Sequence, residues 1–187
     1  MKKILLLVCG LLLSFNVHAL EVAGVKIPDT VQLGDASLQL NGAGVRSKWF
    51  FKVYVGALYL PQKQNSAAAI INSEQTHRIA LHLLRDLSSD KLLGAFNEAI
   101  EANHSPAELA AMDAELKQMK QIFDAIKEAK EGDVITLDYL PAGGSQIVVN
   151  GTTRGTIKSA GFNQALLKIW LGEKPAQEDL KKAMLGG

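Results

Sequence analysis

Leu40-Asn41-Gly42-Ala43-Gly44-Val45-Arg46, followed shortly by Trp49-Phe50-Phe51-Lys52-Val53-Tyr54-Val55-Gly56-Ala57-Leu58-Tyr59-Leu60, is the stretch on which the reading of this chain turns. Residues 49–60 form the longest strand candidate. Alternation puts Trp49, Phe51, Val53, Val55, Ala57 and Tyr59 on one face, and Phe50, Lys52, Tyr54, Gly56, Leu58 and Leu60 on the other. Neither face is polar throughout, so a central strand with apolar layers on both sides is expected. Lys52 and Tyr54 share the second face, a polar spot in an apolar place. Asn41 to Gly44 reads as a bend. Its Gly-Ala-Gly lacks the third glycine and the following helix of a dinucleotide-binding loop.

Outward from this stretch, strands and helices come in blocks. Glu21 to Ile27 predicts a first strand, stopped by Pro28-Asp29. Downstream, Ser66 to Ile71 predicts a short helix and Thr76 to Leu84 a strand. Ser88 can cap a helix reaching about Ala102. Ser105-Pro106-Ala107-Glu108 is a capping box with proline at the first helical position. Leu109, Met112, Leu116, Met119, Phe123 and Ile126 follow at spacings of three and four, predicting one long amphipathic helix. Val134 to Leu140 and Ile147 to Val149 predict a hairpin, Asn150-Gly151 a tight turn, and Thr152 to Ile157 another strand. Gly161 to Leu171 and a segment starting at Lys174-Pro175 close the chain as helices. Strands, helices, strands, helices indicate α+β with an antiparallel sheet.

The 187 residues suit one domain. Lys2-Lys3, the apolar run Ile4 to Phe15 and Val17-His18-Ala19 have the layout of an export signal. The expected organisation is therefore a signal peptide over 1–19 and a single domain over 20–187, periplasmic after cleavage before Leu20. No other run is long and apolar enough for a membrane span. With 20 basic and 19 acidic residues and no basic block, nucleic acid is a poor partner. The single cysteine, Cys9, lies in the leader. Disulfides, cysteine-ligated metals and thiol catalysis are thereby excluded from the remainder.

Chemical signatures are sparse. His77 and His82 lie five apart on one strand, hence on opposite faces, and cannot share a metal. There is no HExxH, and Gly144-Ser145 lacks the flanking pattern of a nucleophile elbow. Neither cofactor nor metal is expected.

The quoted stretch does resemble a known pattern. Gly42-Ala43-Gly44-Val45-Arg46 with Lys52 to Leu60 resembles the "GAG-x-R … K-x-x-x-x-G-x-Y-L" segment of the chalcone isomerase family. Phe162-Asn163-Gln164-Ala165-Leu166-Leu167-Lys168-Ile169-Trp170-Leu171-Gly172 resembles that family's closing helix. The resemblance runs from about Val22 to the end, and points to the exported bacterial branch. It implies an open-faced β-sandwich: a large antiparallel sheet covered on one side by helices, with a ligand cleft between.

In the plant isomerases of that family, the motif arginine favours a phenolate, and a threonine on the next strand, with a tyrosine, orders a water. Arg46 matches the arginine. Tyr54 stands where the threonine would, Ile169 aligns with a small polar specificity residue, and Ser88 or Ser89 replaces the tyrosine near the first long helix. Fatty-acid-binding members of the superfamily resemble this chain better, since they pair the arginine with a tyrosine on the next strand.

The resemblance thus implies a non-catalytic protein that binds a fatty acid or similar amphipathic carboxylate, with Arg46 and Tyr54 as its principal contacts. Lys52 and Arg85 are further candidates, the plainer alternative being solvated charges. A guanidinium facing an apolar cleft needs an anion, and its planar fork suits a carboxylate. The alternative for Arg46 is a protein acid such as Asp86 or Asp138. Two other readings stand beside this one: an intramolecular lyase or isomerase using Arg46, and a structural or partner-binding protein whose cleft has closed.

Overall fold

Turns and bulges decide how residues 19–60 are used. The computed structural model describes residues 19–187, so the expected leader lies outside the described residues, Ala19 excepted. β1 (Ala19–Val22) and β2 (Val25–Pro28) form an antiparallel hairpin. Its turn, Ala23-Gly24, has φ of 51° and 83°. The single strand expected over Glu21–Ile27 is therefore two, because consecutive left-handed residues reverse the chain. β3 (Thr30–Leu33) then turns into β4 (Ala36–Lys48).

The bend expected at residues 41–44 is absent, and β4 runs straight through it. Leu40 faces Tyr59 and Gly42 faces Leu58 across the next strand, β5 (Phe51–Leu60), so Asn41 is one residue extra. This bulge swaps the faces used by alternate residues. Leu38 and Leu40 pack in one layer with Tyr59. Beyond the bulge, Gly42, Gly44 and Arg46 point into the opposite one. A second irregularity lies between Arg46 and Ser47, where Arg46 faces Tyr54 but Ser47 faces Lys52, leaving Val53 unmatched. Plain alternation places Lys52 and Tyr54 on one face; the bulge separates them. β5 also starts later than expected, because Trp49 adopts φ 60° in the connecting turn.

The chain continues through α1 (Ala67–Ile71), β6 (His77–Leu83), the two-residue strand β7 (Leu87–Ser88) and α2 (Ser89–Asn103). Ser88 caps α2, its side chain accepting from the Lys91 amide. α3 (Pro106–Ala111) carries the expected capping box between Ser105 and Glu108. The long helix expected after it is broken: Met112, at φ −111° and ψ 18°, separates α3 from α4 (Asp113–Ile126). β8 (Glu128–Ala129) pairs with β7. β9 (Val134–Leu140), β10 (Gly144–Val149), β11 (Thr152–Ile157), α5 (Ala160–Leu171) and α6 (Glu178–Met184) complete it.

The main sheet has seven strands in the order β11-β10-β9-β6-β5-β4-β3, all neighbours antiparallel. The fold is α+β, with helices laid on one face of a large antiparallel sheet. Leu58, Ile79, Leu81, Ile135 and Ile147 meet Phe96, Phe162 and Leu166 under the helices. On the other face Val55, Ala57, Tyr59 and Ala80 pack with Ile27 of the N-terminal hairpin and Leu38. β5 is thus apolar on both sides.

The glycines of β4 have a packing purpose. A Cβ on Gly42 would lie 2.0 Å from the Ala183 carbonyl oxygen, and one on Gly44 would lie 2.7 Å from the Ala183 Cβ. Only hydrogen at these positions lets α6 lie flat on the sheet. Asn41 fastens the far end of that helix, donating from Nδ2 to the Met184 carbonyl at 2.7 Å. At the near end, Gln177 Oε1 accepts from the Ser47 amide at 2.8 Å. Residues 41–47 are a cradle for the last helix.

Candidate functional site: a cleft beneath the helices

Between the sheet and α2, α4 and α5 lies a cleft of about 250 Å³. Its walls follow from the burial pattern: Leu81, Ile135, Leu137 and Ile147 from the strands, Phe96 from α2, Met119 and Phe123 from α4, Leu166 and Ile169 from α5. It is slightly smaller than the roughly 300–1,000 Å³ usual for small-molecule sites, and like them it is apolar with few polar groups. Lys48 and Glu98, both exposed, stand among its lining residues, so the cleft reaches the surface.

Arg46 and Tyr54 line this cleft together. The Asn41 bulge turns Arg46 to the helical side, and strand pairing sets Tyr54 directly across from it. The Arg46 guanidinium donates to the Ser47 carbonyl and, at 3.3 Å, to Gln177 Oε1. Both partners are neutral. The acids considered for it are engaged elsewhere: Asp138 binds Arg78 through two bonds of 2.6 Å, and Asp86 binds Lys130 at 3.1 Å. No acid pairs with Arg46 among the described residues, and the protein-acid alternative falls.

Tyr54 is held by Trp170 of α5, whose indole Nε1 donates to the phenol oxygen at 3.0 Å. The hydroxyl therefore accepts from the protein, while its own proton goes to no acceptor among the described residues. Burial pushes the Tyr54 pKa above its ordinary value, against smaller opposing effects of the Trp170 bond and the Arg46 charge. At neutral pH the group is a phenol with a donor to offer.

The other two candidates are not brought to this place. Lys52 lies opposite Ser47, on the exposed flank of β5, and does not line the cleft. Arg85 sits with its guanidinium carbon 4.7 Å from the centre of the Phe51 ring, also outside the lining. Lys48, Glu98 and Lys174 do contribute. Lys48 shares Arg46's face of β4 and lies 3.6 Å from Glu98 of α2. Sequence reasoning missed all three, and Gln177 too. The alternation 46, 48 along β4 was a signal for Lys48; nothing local marks Gln177.

Among the described residues, no group of three or more His, Cys, Asp or Glu side chains could hold a metal, and no helix is long and apolar enough to cross a membrane. His77 and His82 lie on opposite faces of β6, with Nδ1 of His77 2.9 Å from the Gln75 carbonyl.

A large antiparallel sheet roofed by helices, with an arginine and a tyrosine facing each other in the intervening cleft, defines a recognisable class. The family model described as chalcone isomerase-like matches residues 19–186, and the chain belongs to that family. Among solved structures it is similar to a fatty-acid-binding protein of Arabidopsis thaliana, at 18% identity and a TM-score of 0.67, over 87% of this chain and 92% of that one. No curated protein sequence matches.

Proposed function

We propose that this protein binds a fatty acid or a similar amphipathic carboxylate without transforming it, and does so in the periplasm after export. The observation behind this reading is the state of two facing donors. Arg46 carries a positive charge into an apolar cleft with only neutral partners, and Tyr54 offers a proton that no protein group takes. A carboxylate between them gains a charge-assisted bond and a second oriented donor. The walls then hold the tail, at roughly 0.8 kcal/mol per buried methylene. The name of the similar Arabidopsis protein supports the ligand class. Lys2-Lys3 and the apolar run to Phe15 support export. Tyr54 and Ile169, in place of the residues that the family resemblance implies for isomerases, support a binding role.

Calorimetry with matched acids and methyl esters tests it. The unmodified protein is expected to prefer the acid. Arg46→Ala should lose about 1.5–3 kcal/mol for the acid, roughly ten- to hundredfold, and bind acid and ester alike. Arg46→Lys should recover only part of the loss, because an ammonium lacks the planar fork. Equal binding of acid and ester by the unmodified protein would reject the clamp.

A further inference from the structure

The turn between β4 and β5, with the first residue of β5, exposes three successive aromatic residues to water. Trp49 is 86% exposed, Phe50 96% and Phe51 59%. Such a display is costly in a soluble protein and marks a contact surface. Trp49 also sits at φ 60°, a region that bulky residues avoid. Lys48 pairs with Phe51, so Trp49-Phe50 is a two-residue hairpin turn, which needs such a backbone at one of its central positions. That turn carries the indole at its tip, outside the fold.

Charge says what the tip is made to meet. Lys48 and Lys52 flank the three rings, and Arg85 lies over Phe51. The chain carries no Asp or Glu anywhere from 36 to 73. The acid nearest Lys48, Glu98, makes only an exposed pair with it at 3.6 Å, weak in solvent. Aromatic rings with a tryptophan among them, framed by lysines on a narrow projecting turn, suit the headgroup layer of a bilayer. Indole prefers that depth, and each nearby cation is drawn to anionic lipid.

We propose that Trp49-Phe50-Phe51, with Lys48 and Lys52, seats in an anionic lipid surface and holds the mouth of the cleft beside it. Lys48 belongs both to the tip and to the cleft lining, so a docked tip brings the opening next to the surface. The docking itself does not depend on what the cleft binds. Its use, the exchange of an amphipathic ligand with the bilayer, rests on the function proposed above.

Co-sedimentation with phosphatidylglycerol and with phosphatidylcholine vesicles tests the docking, with all variants compared at identical N-termini. The unmodified protein is expected to sediment with phosphatidylglycerol, less with phosphatidylcholine, and less as salt rises. The double variant Trp49→Ser/Phe50→Ser should lose at least about tenfold in vesicle affinity. In a Trp170→Phe background, Trp49 is the remaining tryptophan, and brominated acyl chains should quench it. The proposal is overturned if the unmodified protein stays in solution with phosphatidylglycerol, or if the double variant sediments equally well. It is also overturned if the tip pairs two copies instead, seen as a dimer in sedimentation equilibrium that the double variant abolishes. Neither ring lines the cleft, so the double variant should bind fatty acid in lipid-free buffer normally. Loss of acid-over-ester preference in a protein that still sediments would sink the cleft reading and leave the tip standing.

Discussion

The indole of Trp170 donates its hydrogen bond to the hydroxyl of Tyr54, joining the closing helix to the central strand at 3.0 Å. The bond fixes where the phenol proton can go, since the oxygen's lone pair on the helical side is taken. Trp170→Phe removes the donor together with one ring of a side chain only 5% exposed. Stability should fall by about 1–3 kcal/mol in urea unfolding, from the lost bond and the space left behind, and the preference for acid over ester should shrink several-fold as the phenol turns freely. Tyr54→Phe should shrink that preference as well, and should cost about 1–3 kcal/mol of stability, because it leaves the buried indole N–H without an acceptor. Equal acid-over-ester ratios in all three proteins would show that the hydroxyl takes no part.

Arg78 and Arg46 look alike in sequence and differ completely in circumstance. Arg78 faces Asp138 across β6 and β9, on the sheet face away from the cleft, with Asp138 only 3% exposed. Removing the arginine leaves a buried carboxylate unpaired. Arg78→Met should destabilise by about 3–5 kcal/mol, measured by denaturant unfolding, whereas Arg46→Ala should cost far less.

The glycine cradle gives a steric expectation. In Gly42→Ala the new methyl meets backbone of residue 183, which cannot rotate aside. The variant should lose about 1–3 kcal/mol, more than Gly94→Ala, where an added Cβ meets nothing within 4 Å. Thermal denaturation of the two side by side checks it; equal melting temperatures would refute the tight contact.

Burial pushes the pKa of both His77 and His82 below the usual 6.5, His77 against the opposing effects of its Gln75 and Asn163 bonds and the Asp138 charge. The unfolded chain therefore takes up protons there that the folded chain refuses. Their contribution is complete above pH 6.5 and is lost as the pH falls below it. Unfolding free energy should decline between about pH 7 and about pH 5, and less steeply in His77→Gln and His82→Gln than in the parent. An unchanged slope in both variants would assign the decline to carboxylates.

Chalcone cyclisation should not be accelerated by this protein. Proton movement at the reacting centre needs a positioned donor or acceptor in addition to a cation. Turnover well above the spontaneous rate, abolished by Arg46→Ala, would restore the isomerase reading.

Much of this was legible in the chain, and the misses share a cause. Hydrophobic alternation located β5 and its two apolar faces, and Ser105 with Glu108 located a helix start. The capping and periodicity signals are local, so a sequence displays them. Bulges are not: whether Asn41 or Val53 is matched depends on a partner strand. That is why residues 41–44 read as a bend and why alternation groups Lys52 with Tyr54. Ion pairing is equally non-local. In sequence Asp138 is as available to Arg46 as to any other cation, but strand register gives it to Arg78. Gln177 reaches Arg46 from 131 positions away, beyond any motif.

That distance bears on how the chain assembles its cleft in time. The bonds from Asn41 to the carbonyl of Met184 and from Gln177 to Arg46 close loops of 143 and 131 residues. Closures so long are entropically slow and are rewarded only once both ends are structured. The β4–β5 hairpin and the α2–α4 helices can form early from near neighbours. Arg46 gets its Gln177 partner only when the last helix settles onto the two glycines. The finished cleft should therefore emerge as a late kinetic event, after most secondary structure is in place, and a mutation in α6, none of whose residues lines the cleft, should delay it.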